Sequence, residues 1–170
     1  MIETKDLIID KAKQSDWKDM YYNVWRHPET AKYMMWSVTK SESDAEDRMR
    51  RTIEFQKTHD TYLVYEKSSG RAIGFAGVEQ ESAGVFTETG ICLGVDYVGK
   101  GYGKQIVGAL IEYVKSHFGA REFVYSSREE NKASIALAHS MGFEYVSSEI
   151  RKDDRDNTSY NMLRFIKKLD

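Results

Sequence analysis

The order of apolar patterns predicts a mixed α/β protein, in which a twisted, mostly antiparallel central sheet of about six to seven strands carries helices on both faces. Three observations predict it. Short apolar stretches with period-two alternation recur through the chain, as half-buried strands require. Between some of them run stripes of apolar residues at helical spacing, so helices connect particular strands and part of the sheet is parallel. Three consecutive strands are instead joined by short polar turns, so that part is an antiparallel meander.

The elements follow in order. Leu7-Ile8-Ile9, between charges, is the first strand. Ser15-Asp16 supplies a helix cap ahead of the stripe Trp17, Met20, Tyr21 and Val24. His27-Pro28-Glu29-Thr30 breaks that helix, and Ala31 to Trp36 forms a helical turn leading into a loop. Ser43 with Glu46 matches a capping box, followed by Ala45, Met49, Thr52 and Ile53 on one face of a helix that ends near Thr58. Tyr62–Tyr65, Ala72–Val78 and Val85–Val95 form the meander. Ile106, Val107, Leu110, Ile111, Val114 and Phe118 then make a second helical face, with Gly119 placed to end it. Glu122–Ser126 is a strand, Asn131–Met141 a helix ended by Gly142, and Phe143–Ile150 with Ser159–Ile166 close the chain around a charged hairpin.

The 170 residues are read as a single domain spanning 1–170. With 25 Lys and Arg against 27 Asp and Glu, the net charge of −2 disfavours a general nucleic-acid binder. One cysteine, Cys92, excludes an intrachain disulfide and any multi-cysteine metal site. The four histidines have no metal-ligand spacing, so no metal is expected. No apolar helical stretch is long enough to span a bilayer, and Met-Ile-Glu-Thr-Lys-Asp lacks the apolar region of a signal peptide. The expected location is the cytoplasm, without a membrane partner.

The chemistry concentrates between the third meander strand and the helix after it. Gly99, Gly101 and Gly103 alternate there, with Lys100 and Lys104 beside them. Glycines let backbone N–H groups close on an anion, and a helix N-terminus adds partial positive charge. The segment reads as a pyrophosphate cradle or as a tight strand-to-helix turn. It is not a P-loop, because Val98 stands where glycine is needed and Gln105 where Ser or Thr is needed. It is not a dinucleotide fingerprint either, since Lys104 and Ile106 occupy the required glycine positions.

Residues 90–104 read Gly-Ile-Cys-Leu-Gly-Val-Asp-Tyr-Val-Gly-Lys-Gly-Tyr-Gly-Lys. That stretch is similar to the acetyl-CoA motif of the GNAT N-acetyltransferases. Asn131-Lys-Ala-Ser134, followed by Met141-Gly142-Phe143, is similar to the family's next helix and strand. The opening, with Asp16, the His27-Pro28-Glu29 break and the helix at Ser43, resembles the RimJ/RimL-type branch, which acetylates ribosomal-protein N-termini and has relatives acting on polyamines, amino acids and antibiotics. The resemblance covers essentially the whole chain. It implies the GNAT acyl-CoA N-acyltransferase fold, with strands splayed at the cofactor site, and acetyl-CoA as co-substrate. Leu93, Gly94 and Val95 would meet the pantetheine. Lys100, Gly101, Tyr102, Gly103 and Lys104 would hold the pyrophosphate, Asn131 the pantetheine arm, and Ser134 would lie close to the thioester sulfur. Two residues depart from the family pattern. Val98 replaces a usual Gln or Arg, and Ala138 stands where many relatives carry a general-acid tyrosine.

The implied reaction is direct attack of a primary amine on the thioester through a tetrahedral intermediate. It needs a neutral amine, a donor for the oxyanion and a proton for the thiolate. A main-chain N–H near Leu93 to Val95 is the expected oxyanion donor. Glu88, upstream on the same strand, is the candidate base or amine ligand, against the reading of an exposed strand glutamate. Ser134 is the candidate donor to the thiolate, against that of an ordinary helix serine bonded to a carbonyl. Trp25, Tyr33 and Trp36, with Met34 and Met35, lie where relatives build the acceptor wall, or serve as helix packing. Glu42, Asp44, Glu46 and Asp47 complement a helix dipole or attract a cationic acceptor. Cys92 is read as a buried structural thiol. The acceptor is a peptide N-terminus, a polyamine or a small amine, and the last strands could pair across a homodimer. The alternative function is a non-catalytic acetyl-CoA-binding sensor of the same fold.

Overall fold

The computed structural model describes residues 1–170. Eight strands form one hydrogen-bonded sheet in the order β1-β2-β3-β4-β5-β6-β8-β7. The sequence pattern accounts for seven. The eighth, β1 (Ile2–Glu3), pairs with β2 (Leu7–Asp10) and is too short to show any alternation. No helix is long and apolar enough to cross a membrane. The chain divides into two compact units, Met1–Glu79 with Thr89–Leu110 and Gln80–Glu88 with Ile111–Asp170.

In the first unit, β2 pairs antiparallel with β3 (Thr61–Glu66), and β3 with the start of β4 (Ala72–Ser82). The helical segment after β2 is not one α-helix. A 3-10 turn (Gln14–Asp16) leads into α1 (Trp17–Met20), which continues as a π-helix over Tyr21–Trp25. Pro28 then opens α2 (Pro28–Ala31), at the first-turn position where its missing N–H costs nothing. The next helix, α3 (Glu42–Gln56), starts two residues earlier than expected. Ser41, not Ser43, accepts the Asp44 N–H at 3.1 Å, and both serines fit the capping pattern. Met20, Val24, Trp25, Ala45 and Met49 from these helices are buried with Leu63, Ala72 and Cys92.

The C-terminal part of β5 (Val85–Leu93) leaves no room for a side chain at two positions of β4. A Cβ at Gly74 would stand 2.1 Å from the Cys92 carbonyl oxygen, and one at Gly77 would stand 2.4 Å from Thr89 Oγ1. The Gly94 N–H continues this antiparallel run, donating to the Ile73 carbonyl at 2.8 Å. The strand stops at Leu93, two residues short of the expected Val95, because residues 95–97 turn into a 3-10 helix.

In the second unit, the start of β5 runs parallel to β6 (Glu122–Arg128), with Phe86 opposite Phe123. The connection from β5 to β6 is α4 (Tyr102–Phe118). It closes at Gly119 (φ 63°), whose N–H returns to the Lys115 carbonyl. After β6 comes α5 (Lys132–Ser140), then β7 (Glu144–Lys152) and β8 (Ser159–Lys168), with β8 inserted between β6 and β7. Phe123 and Tyr125 pack their rings against Phe143. In the β7–β8 turn, Asp153 accepts hydrogen bonds from Arg155 and from Arg128, which hold its carboxyl well below the usual range.

Gly74→Ala forces a methyl against main chain that cannot swing aside. It should lower unfolding stability by about 3 kcal/mol in urea titrations at unchanged slope.

Candidate functional site

The glycine segment is built as an open loop between two fixed ends. Gly99 and Gly101 adopt φ of 75° and 78°, and a Cβ at either would meet nothing within 4 Å. Other residues adopt that conformation at a cost, so glycine is required here for shape, with open space beside the backbone. The 17-residue α4 starts at Tyr102, and its first-turn N–H groups have no intrahelical acceptor. Lys104 is exposed on that turn. Val98, at the head of the loop, is 59% exposed, and its side chain offers no donor.

The helix start is tied down from two sides. Tyr102 donates its hydroxyl to Glu66 Oε1 at 2.7 Å, which pins α4 to the end of β3. Glu66 also accepts from Ser69 at 2.8 Å and lies 3.6 Å from Lys100 Nζ. The Tyr102 bond is the main reason the Glu66 carboxyl is held below its ordinary range, and the same bond pushes the Tyr102 phenol up to about 12. On the other side, Gln105 donates to Asp6 at 2.7 Å and accepts from Thr4 at 2.6 Å and from the Asp6 N–H at 3.0 Å. Fixed N–H groups, an open backbone and two lysines suit a pyrophosphate. The Tyr102 side chain is committed to Glu66, so at the loop that residue offers its backbone.

Just upstream, Gly94 is occupied by the protein itself. Its N–H is bonded to Ile73 and its carbonyl accepts from Tyr97 at 2.9 Å. A Cβ there would strike the Asn23 carbonyl at 2.3 Å. Of Leu93, Gly94 and Val95, only the first and last have backbone groups that these bonds do not commit.

A second constellation lies within the other unit. Half-buried Glu88, on β5, accepts the Ser126 N–H at 3.2 Å. The Tyr125 hydroxyl, from β6, lies 2.8 Å from Ser134 Oγ in the first turn of α5. Burial pushes the Tyr125 phenol up to about 12, and the Glu88 carboxylate adds to that shift. Asn131 caps α5, its Oδ1 accepting the Ser134 N–H at 3.2 Å. Ala138 is buried in the same helix, and its carbonyl accepts the Phe143 N–H. The family-position tyrosine is thus absent, yet a phenol does reach Ser134, from the neighbouring strand.

Residues 6–144 match the family described as "Acetyltransferase (GNAT) domain". The chain belongs to the GNAT acetyltransferase family. It is 27% identical over 146 residues to an uncharacterized N-acetyltransferase p20 of Bacillus licheniformis, covering 83% of this chain and 80% of that one. Among solved structures, a GNAT acetyltransferase from Bacillus anthracis superposes with a TM-score of 0.83 at 15% identity, over 98% of this chain and 97% of that one. The microcin C7 self-immunity acetyltransferase MccE, solved with acetyl-CoA and AMP, superposes with a TM-score of 0.81 at 16% identity, over 98% and 94%. The mixed sheet of this chain is therefore the GNAT fold.

Within this GNAT chain, Trp25 and Trp36 border a cavity of about 220 Å³ in the first unit, together with Phe55, Tyr62 and Phe75. Tyr33 lies beneath Lys32, whose Nζ is 5.2 Å from its ring. Met34 packs on the core and Met35 is exposed. Cys92 is buried and its thiol is pushed up to about 12, in keeping with a structural role. Sequence reasoning missed Tyr125 and Arg48. The alternation of Phe123 and Tyr125 marks a buried face but cannot pair a strand with a later helix. Arg48 shares a helical stripe with Ala45 and Thr52, which was the available signal that it points inward.

Tyr102→Phe removes the bond that pins α4 to Glu66. It should cost about 1–2 kcal/mol of stability, and isothermal titration with coenzyme A should show weaker binding at the loop.

Proposed function

We propose that the protein is an acetyl-CoA-dependent N-acetyltransferase of the RimJ/RimL-type branch, acting in the cytoplasm on a primary amine by direct attack. The observation that carries this reading is the open, positively charged glycine loop, clamped at the start of α4 in a GNAT chain. Bound acetyl-CoA supplies an activated acetyl thioester. Lys100, Gly101, Tyr102, Gly103 and Lys104 hold the pyrophosphate, and the backbone of Leu93 and Val95 aligns the pantetheine. Asn131 directs its side-chain amide nitrogen to the same arm, while its oxygen caps α5. Glu88 takes the proton of the acceptor amine, directly or through water. Ser134 donates a hydrogen bond to the departing thiolate, which takes its proton from solvent, and Tyr125 positions and polarises that hydroxyl. A phenol raised to about 12 stays protonated throughout the assay range, as a donor must. Residues 1–170 work as one catalytic domain. The edge strand β7, which exposes Tyr145, Val146 and Ile150, is the proposed contact of a homodimer.

Calorimetry should find micromolar acetyl-CoA binding, with no response to ATP or NAD. Turnover on an amine panel should then fall by about 10²-fold in Glu88→Gln with acetyl-CoA affinity kept. Absence of acetyl-CoA binding overturns the reading. Binding without transfer to any amine reduces the protein to a sensor of the same fold.

Tyr125→Phe should lower kcat about tenfold while leaving KM for acetyl-CoA within twofold. Wild-type kcat should hold a plateau to pH 10, because the donor does not ionise below that. An alkaline loss of kcat below pH 10 that vanishes in Tyr125→Phe would show that this phenol ionises earlier, contrary to its burial.

A further inference from the structure

Arg48 has no part in the scheme above, and its surroundings ask for one. Its guanidinium lies over the Trp25 ring at 4.5 Å and over the Trp36 ring at 4.6 Å. One of its five donors is used on Thr39 Oγ1 at 3.1 Å. No carboxylate neutralises it. On its own helix, Asp44 stands one turn earlier on the same face but makes no ion pair with it, and Glu46 and Asp47 pair with Arg50. The groups that act on it are burial first, then the Arg51 guanidinium, which together pull it down to about 10, and the Cys92 thiol. It remains a cation at neutral pH. A half-buried guanidinium without a counter-ion loses hydration that nothing charged replaces, and two indole faces offset only part of that cost.

The same side chain forms part of the wall of the 220 Å³ cavity, and it is the only charged residue there. The rest of that wall includes Met20, Trp25, Trp36, Phe55 and Phe75. An outer cleft of about 710 Å³ shares Trp36, Arg48 and Phe55, and adds Lys40 and Arg51 against Asp44 and Asp47. An apolar chamber with one unpaired cation suits a small apolar body that carries one anion. The volume lies below the ~300–1,000 Å³ of drug-sized sites, so the body is small. A planar fork with its faces over indoles keeps its in-plane donors, the geometry that matches a carboxylate.

We infer that this cavity is the acceptor subsite and that Arg48 binds a carboxylate on the acceptor. The acceptor class is then an amine that also carries a carboxylate and an apolar or aromatic body, and not a polyamine. This rests on the amine-acetylating reading given above. The carboxylate has two sources, a free amino acid or an acidic first residue of a peptide.

The test begins without acetyl-CoA. Tryptophan fluorescence follows binding of 3-phenylpropionate and of 3-phenylpropionamide to the wild-type protein. The acid should bind at least ~10-fold more tightly than the amide. Arg48→Gln should abolish that preference and Arg48→Lys should retain part of it. If the acid binds no better than the amide, the subsite is overturned, and that comparison needs no variant. Acetyl transfer is then measured on L-phenylalanine, L-phenylalaninamide, spermidine, and amidated peptides beginning with Glu or Gln. A preference for phenylalanine over its amide assigns the free amino acid, and one for the Glu peptide over the Gln peptide assigns the peptide. Transfer to the amide or to spermidine at equal efficiency, insensitive to Arg48→Gln, keeps the acetyltransferase and removes the subsite. Arg48-dependent binding of the acid with no transfer to any amine keeps the subsite and removes the acetyltransferase.

Discussion

Main chain packs directly on main chain where β4, β5 and the π-helical segment meet, and the first unit is organised around that contact. Gly74 admits the Cys92 carbonyl, Gly94 admits the Asn23 carbonyl, and the Asn23 amide donates to the Ala72 carbonyl at 2.8 Å. No side chain fits into either contact. The end of β5 is therefore set by backbone atoms, which have little room to relax, and the turn at residues 95–97 leaves it in a fixed direction. That direction is what the glycine loop inherits. Interiors resist small changes in volume, and a joint without side chains resists them most.

Polar groups then divide the work between fixing and leaving open. Glu66 and Gln105 hold the first turn of α4 through buried or half-buried bonds, while Gly99 and Gly101 stay clear of neighbours. An anion site benefits from that division, because donors fixed before binding lose little freedom when it occurs. In the second unit the division recurs on a smaller scale. Asn131 orders the start of α5, and Tyr125 supplies a hydroxyl to the serine that this cap presents.

The sheet, the meander and the helix pairs were legible in the sequence because each buries one face and so writes its period into the chain. The glycine loop was legible because its residue types are constrained by backbone angle. What was not legible depends on pairing or on competition. β1 is two residues long and is held by its partner, not by burial. β4 runs on to Ser82 through Glu79, Gln80 and Glu81, which are exposed and carry no apolar alternation. Ser41 and Ser43 both stand three residues before an acid, and only the helix geometry chooses between them. Arg48 shares the inward stripe of Ala45 and Thr52, but what its guanidinium meets there follows from Trp25 and Trp36, which approach from a different part of the chain.

The π-helix over Tyr21–Trp25 sets one wall of this cavity. A π turn holds one residue more than the α turn it replaces, and each residue advances an α-helix by about 100°. The widened turn ends on Trp25, whose indole lies under the Arg48 guanidinium. Deleting one residue from Tyr21–Val24 would close the widened turn to a regular one, drawing the helix backbone in and changing the depth at which that indole sits under the cation. The shape of the cavity beside Arg48 therefore depends on the residue count of one helical turn, and not only on which side chains line it.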